Sequence, residues 1–381
     1  MNSNNSNVQL SDLVYDAKQV YGIYYVQTSG LLFGKIMLAT SQLSIQRICF
    51  SQILTANITI DTFGLISLAE GSISLFQCYI INLLQNSLIL QNVAIIGKAT
   101  LQCKYLNIYN LNVTFSMDLN KGSQTVAILA VDQSVNCTII NSSITNSSII
   151  VDQISGGFIA TASGVLILQQ CSIQMSNISG NQFSGGLVGQ SNTNTLQILQ
   201  CYTQYNIVNS GNSVGGLIGI TFNKIIISNT TVQFCKISFG QLIGGLIGFL
   251  EQSSTLYFSR CYIINVSMNA LGNCGGLVGN VNRYSNLMIS EVMVSNSNIS
   301  SPGGSVGGFI GCFGRQSEIL NMKLVTSKIN SITITCTGSC GLFMGLVPGG
   351  PTYTVSNSFI EGNNMINGVK QQNCYNFIGN C

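Results

Sequence analysis

The chain of 381 residues has no histidine, no tryptophan and only three prolines, and 7% of its residues are charged, against about 25% in an ordinary soluble domain. Without an imidazole there is no Ser-His-Asp or Cys-His pair and no histidine metal ligand, which removes most common enzyme chemistries. The 14 Lys and Arg residues stand singly from Lys18 to Lys370, with no stripe that would track a phosphate backbone, so nucleic acid is not an expected partner. Met1 to Asn7 is mostly Asn and Ser, with no basic and apolar leader pattern. The longest charge-free apolar run, Ile237 to Leu250, holds Gln241 and four glycines and falls short of the ~20 residues that cross a bilayer. No membrane insertion is expected of this chain. Disorder is excluded as well, because 46% of the residues are apolar, the net charge is +3 and the mean hydropathy is +0.40.

What the chain does have is glycine, 40 of them, and a phrase that returns. Gly185-Gly186-Leu187-Val188-Gly189 recurs as Gly215 to Gly219, Gly244 to Gly248, Gly275 to Gly279 and Gly307 to Gly311, with Gly156-Gly157-Phe158-Ile159 before them. Weaker copies stand at Gly30, Gly64, Ala94, Ala127 and Gly341. Marking the second glycine gives Gly157, Gly186, Gly216, Gly245, Gly276 and Gly308, with Gly341 counted as the last mark, at a spacing of about 31 residues. Between the marks lie short runs of β-branched and apolar residues alternating with polar ones, such as Leu196-Gln197-Ile198 and Leu256-Tyr257-Phe258, and no 3.6-residue period fits.

These features predict an all-β chain, a single-domain parallel β-solenoid (β-helix) of about eleven coils of ~31 residues with three short strands each. One coil alone cannot fold. Its few inward side chains contribute roughly 1.5–3 kcal/mol each, against about 1.5 kcal/mol of ordering cost for every residue, so stability must come from stacking. The paired glycines fit tight backbone turns or close approach. They do not fit a phosphate loop, which needs a Lys and a following helix where Leu or Phe stands here. The expected division is a cap over residues 1–29, the solenoid over 30–346 and an irregular coil or tail over 347–381. Ser11-Asp12 followed by Leu13, Val14, Ala17 and Val20 suits a short capped helix, with strand pairing over Val20 to Gln27 as the alternative. The last rung lacks charges or proline to guard its edge, which predicts end-to-end self-association or a folded-back tail.

The Gly-Gly-Leu-Val-Gly phrase followed by an apolar strand and Cys-Tyr, as in Gly185 to Tyr202 and Gly244 to Tyr262, resembles the GLUG-motif repeats of secreted or surface adhesin-like proteins. Cys78-Tyr79 fits the same slot, while the coil with Ser290-Glu291 lacks it. The resemblance implies a right-handed β-solenoid, an extracellular or cell-surface location and a role in adhesion or recognition, with no catalytic residue and no cofactor.

Cys78, Cys171, Cys201 and Cys261 lie at nearly one offset from their marks, which predicts a buried column of free thiols. Cys336 and Cys340, and Cys374 with Cys381, are better placed for bridges. No metal site is expected, since column cysteines do not converge as zinc requires. The ten Asn-x-Ser/Thr sequons are about what chance placement of 41 Asn gives. Two function classes remain. A polysaccharide-active β-helix enzyme, lyase or glycoside hydrolase, needs paired carboxylates roughly 5–9.5 Å apart. Glu70, Asp132 and Glu251 share an offset but stand on non-adjacent coils, and Asp152 lies on another face. The favoured expectation is a non-catalytic structural or adhesive scaffold whose polar Asn, Ser and Tyr faces bind a glycan or a cell-surface protein.

Overall fold

The computed structural model describes side chains over residues 136–222, 224–251, 255–282, 286–314, 321–347 and 354–368, with a few more between 106 and 113, and places strand segments by backbone over parts of 7–133. The described residues form strands and turns and contain no helix. One turn runs β1 (Leu166–Gln169), β2 (Ser172–Gln174), β3 (Asn177–Gly180), β4 (Phe183–Gly185) and β5 (Val188–Ser191). Each strand pairs in parallel with its counterpart one turn on, Leu166 with Leu196, Ser172 with Tyr202, Asn177 with Ile207, Phe183 with Ser213 and Val188 with Ile218. The result is a parallel β-solenoid with three sheets, one built of β1 strands, one of β2 and β3, and one of β4 and β5.

Three faces per turn match the sequence pattern, but two of them are bent, so a turn holds five strands rather than three. The side-chain-described solenoid has seven strands of the β1 type, from Asn136–Ile140 to Asn321–Val325. It therefore has about seven turns, roughly 35 Å at the strand spacing, and the expectation of eleven coils overstates it. The weak glycine phrases at Gly30, Gly64 and Ala94 fall where the described residues give parallel strand pairs without complete turns. Asn7–Ser11 and Val14–Asp16 are strands that pair with Gln42–Gln46 and Cys49–Ser51, so this part of the expected cap joins the ladder and the helix begun at Ser11 does not form there.

The core follows from alternation. Leu166 and Leu168, Leu196 and Ile198, Ile225 and Ile227 point inward from the first sheet and are fully buried, while Ile167, Gln197 and Ile226 between them face out. Ile173, Val232 and Ile263 do the same from β2-type strands, and Ile178, Val208 and Ile237 from β3-type strands. Among the described residues turn length varies most at one corner: the connection from the third sheet to the first lengthens from two residues (222–223) to seven (314–320), while the connection from the second sheet to the third gains a single residue at 302–305.

The glycine phrase breaks the alternation, since Ser184 to Gly189 are all buried. Here β4 and β5 lie against each other through glycine. A Cβ on Gly185 would stand 1.9 Å from the Val188 carbonyl oxygen, and one on Gly216 2.2 Å from the Gly245 carbonyl oxygen of the next turn. Gly219 meets the Gly189 oxygen of the turn before at 2.5 Å. No L side chain fits at any of the three. The register also corrects two marks. Gly341 pairs with Gly307 and Ala127 with Gly156, so both occupy the first glycine's column, and Leu342 stands where the second glycine is expected.

At the other end Thr352–Ser356 and Phe359–Glu361 add a further strand to the first and second sheets. Met365–Ile366 continues the second sheet and pairs antiparallel with Val369–Lys370. The turn between them is Asn367-Gly368, both left-handed at φ 49° and 78°, as a two-residue hairpin requires. The fold-back places a reversed strand beside the second sheet.

Gly216→Ala should lower the unfolding free energy by about 3 kcal/mol or more, because backbone rather than a flexible side chain must yield. Chemical denaturation followed by circular dichroism measures it, and a loss below about 0.5 kcal/mol would contradict the glycine packing described.

Candidate functional site

Two bends per turn put residues other than glycine in the left-handed region. The first bend, between β1 and β2, holds Asn141, Gln170, Gln200, Asn229, Arg260, Glu291 and Thr326 on successive turns; the second, between β2 and β3, holds Asn146, Met175, Tyr205, Phe234, Asn265, Asn296 and Ser331. Each points outward. The residue after each bend points inward and, except Ile332 after Ser331, is small: Ser142, Cys171, Cys201, Thr230, Cys261, Val292 and Ser327 at the first, and Ser147, Ser176, Asn206, Cys235, Val266 and Ser297 at the second.

These inward groups complete the backbone hydrogen bonding that the bend interrupts. The Ser142, Ser176, Thr230 and Ser297 hydroxyls each donate to the carbonyl two residues back at 2.8–3.0 Å. The same oxygens accept backbone N–H groups one turn earlier, as from Ser147 to Ser176, Cys201 to Thr230 and Val266 to Ser297. Cysteine substitutes for serine in this role: the Cys171, Cys201, Cys235 and Cys261 thiols donate to Gln169, Leu199, Gln233 and Ser259 at 3.2–3.5 Å.

Three members of the expected thiol column, Cys171, Cys201 and Cys261, therefore lie at the first bend, buried and free of disulfides. Cys78 lies outside the described residues. The sequence offset identified the column but missed that Ser142, Thr230 and Ser327 share it and that Cys235 belongs to the second bend. The signal at Ser142, Thr230 and Ser327 was an outward polar residue directly before each; Cys235 follows Phe234 and carried no such signal. Burial pushes the Cys235 thiol up to about 11 and Cys261 to about 12, and raises Cys274 further. Between neighbours, the hydrogen bond linking Cys201 and Cys171 holds Cys171 below its ordinary value and Cys201 well above it. Cys336 and Cys340 form a disulfide with Cα atoms 6.2 Å apart. Cys374 and Cys381 lie outside the described residues.

The outer side of the second bend is the feature that calls for a function. Left-handed φ suits Asn and Gly and is an outlier for bulky side chains. Asn146, Asn265 and Asn296 obey that rule, yet the three consecutive turns between the first two carry Met175, Tyr205 and Phe234, 52%, 54% and 42% exposed. The Tyr205 and Phe234 rings are near-parallel, 13° apart, with centroids at 5.0 Å. Parallel rings in contact stand about 3.5–4 Å apart, so these two overlap with an offset, like roof tiles. Beside them run Gln174, Gln204 and Gln233 in one outward column, where the Gln233 amide donates to the Tyr202 hydroxyl one turn back. Ile207 and Phe239 are also exposed. Lys236 is the one charged residue on this face from Ser172 to Asn269.

The acids do not assemble. Glu251 accepts a hydrogen bond from Asn282 at 2.8 Å, Glu291 pairs with Arg260 at 3.0 Å and Glu361 with Lys328. Among residues with described side chains, no two carboxylates share a column on neighbouring turns and no cluster of three metal-ligating residues occurs. Glu70 and the side chain of Asp132 lie outside the described set. No helix among the described residues is long and apolar enough to cross a membrane. Comparison with family models, with curated proteins and with solved structures gives no match.

At pH 8 the five thiols of Cys171, Cys201, Cys235, Cys261 and Cys274 should resist alkylation in the folded protein and react after unfolding, as read by peptide mass spectrometry. The pH dependence has a definite sign. Unfolded thiols ionise near their ordinary 9.0, whereas Cys235 and Cys261 hold their protons to about 11 and 12. Their contribution to stability is therefore complete below pH 9 and falls as pH rises through 9 to 12. Cys261→Ser should shrink that fall while changing stability at pH 7 by less than about 1 kcal/mol, because serine already stands in the same column.

Proposed function

We propose that this chain is a non-catalytic binding scaffold of the extracellular space or cell surface, which recognises a glycan or a surface protein through the second-bend ridge. The observation that carries the reading is the run of Met175, Tyr205 and Phe234: three exposed apolar side chains kept at a backbone conformation that disfavours them. Conformational outliers persist where something other than folding selects them, and contiguous exposed apolar surface marks interaction sites. The Cys336–Cys340 disulfide supports an oxidising compartment. The dispersed, paired acids favour binding over glycoside hydrolysis. Resemblance of the glycine phrase to GLUG-motif repeats points the same way.

A combined glycan and cell-surface-protein array, run beside a polysaccharide degradation assay, tests this. Binding without turnover is the expected result. Turnover of any polysaccharide would replace the scaffold reading with the enzyme one.

A further inference from the structure

The ridge recurs once per turn over three turns, and this constrains what can lie on it. Met175, Tyr205 and Phe234 occupy one column, Gln174, Gln204 and Gln233 the column beside it, each advancing by the ~4.8 Å spacing of paired strands. That advance is close to the length of one residue in an extended β-linked pyranose chain. Such a chain presents, at each step, an apolar C–H surface and flanking hydroxyls. The ridge offers, at each step, an apolar side chain and an amide that both donates and accepts. A folded protein partner repeats at this interval only if it is itself a stack of strands, and a charged polymer would find one cation, Lys236, and no acid opposite it.

We propose that the ridge binds an extended, uncharged, β-linked polysaccharide laid along the solenoid axis, one sugar residue per turn over the three turns of Met175, Tyr205 and Phe234. This deepens the binding reading above and rests on it. The tiled rings supply apolar contact along the chain, and the glutamine column hydrogen-bonds its hydroxyls. The column suits a straight chain and not a coiled one, since each apolar side chain is displaced by one turn from the last.

The test is calorimetric titration of the full chain with cello-, xylo-, manno- and chito-oligosaccharides from disaccharide to hexasaccharide, with coiled α-linked malto-oligosaccharides and polygalacturonate as controls. Affinity should rise with length to about the trisaccharide or tetrasaccharide and then level, exceed that for both controls, and stay constant as salt is raised. Tyr205→Asn and Phe234→Asn should each weaken it about tenfold or more. Asparagine fills the same position at Asn146 and Asn265, so both variants keep the backbone conformation, and unchanged thermal unfolding checks it. Failure of every β-linked oligosaccharide to bind, affinity that ignores both substitutions, or binding that falls steeply with salt would overturn the proposal. A protein ligand from the array whose binding is lost in Tyr205→Asn would overturn the polysaccharide and leave the ridge as a binding site. An array with no ligand of either class would remove both.

Discussion

In-register stacking governs this molecule: each residue of a turn sits over its counterpart in the turn before, at the separation of hydrogen-bonded strands. Every position is consequently a column, and a side chain must suit its own column neighbours before it suits anything else. At the glycine phrase the requirement is severe, because the two strands of the third sheet meet backbone to backbone. Gly185, Gly216 and Gly219 each face a carbonyl oxygen where a Cβ would stand.

The bends solve the opposite problem. Turning the chain without glycine leaves N–H and C=O groups unpaired near the core, at a cost of about 1–3 kcal/mol each if nothing answers them. At most bends one small inward donor closes the gap, as Ser176 does by binding the carbonyl two residues back and accepting an N–H from the adjacent turn. Serine, threonine and cysteine interchange there because what the column asks for is small size and a donor. Val292 and Val266 show that size alone is enough when the next turn's Ser327 and Ser297 still accept their N–H groups.

This explains what could be read from the sequence. The glycine period and the alternating runs expose the solenoid directly, since both are consequences of stacking. Coil number was less legible, because Gly30, Gly64 and Ala94 resemble the phrase without the described turns to support them, and at Gly341 leucine replaces the second glycine. The five-strand turn was hidden because the left-handed residues carry no common side chain: Asn, Gln, Arg, Glu and Thr all serve at the first bend. The ridge was invisible for a related reason. Met175, Tyr205 and Phe234 look unrelated in a line of sequence and become a set only when the register stacks them, and their strain is a property of φ, which composition does not reveal.

The same register accounts for the poverty of charge. Like charges in one column would face each other at ~4.8 Å, a repulsion of about 1 kcal/mol in water and several times that beside a low-dielectric core. Repeated over turns, such a column would oppose the stacking that holds the fold together. The charges among the described side chains obey this. Arg260 lies against Glu291, Lys328 reaches Glu361, and Lys224, Lys236 and Lys323 have uncharged column neighbours on both sides. A surface built under that rule cannot recognise partners by a field of one sign, so what it has left for discrimination is shape, apolar contact and amide or hydroxyl hydrogen bonding. Those are the means the Met175, Tyr205 and Phe234 ridge presents, and they repeat at an interval set by the fold itself.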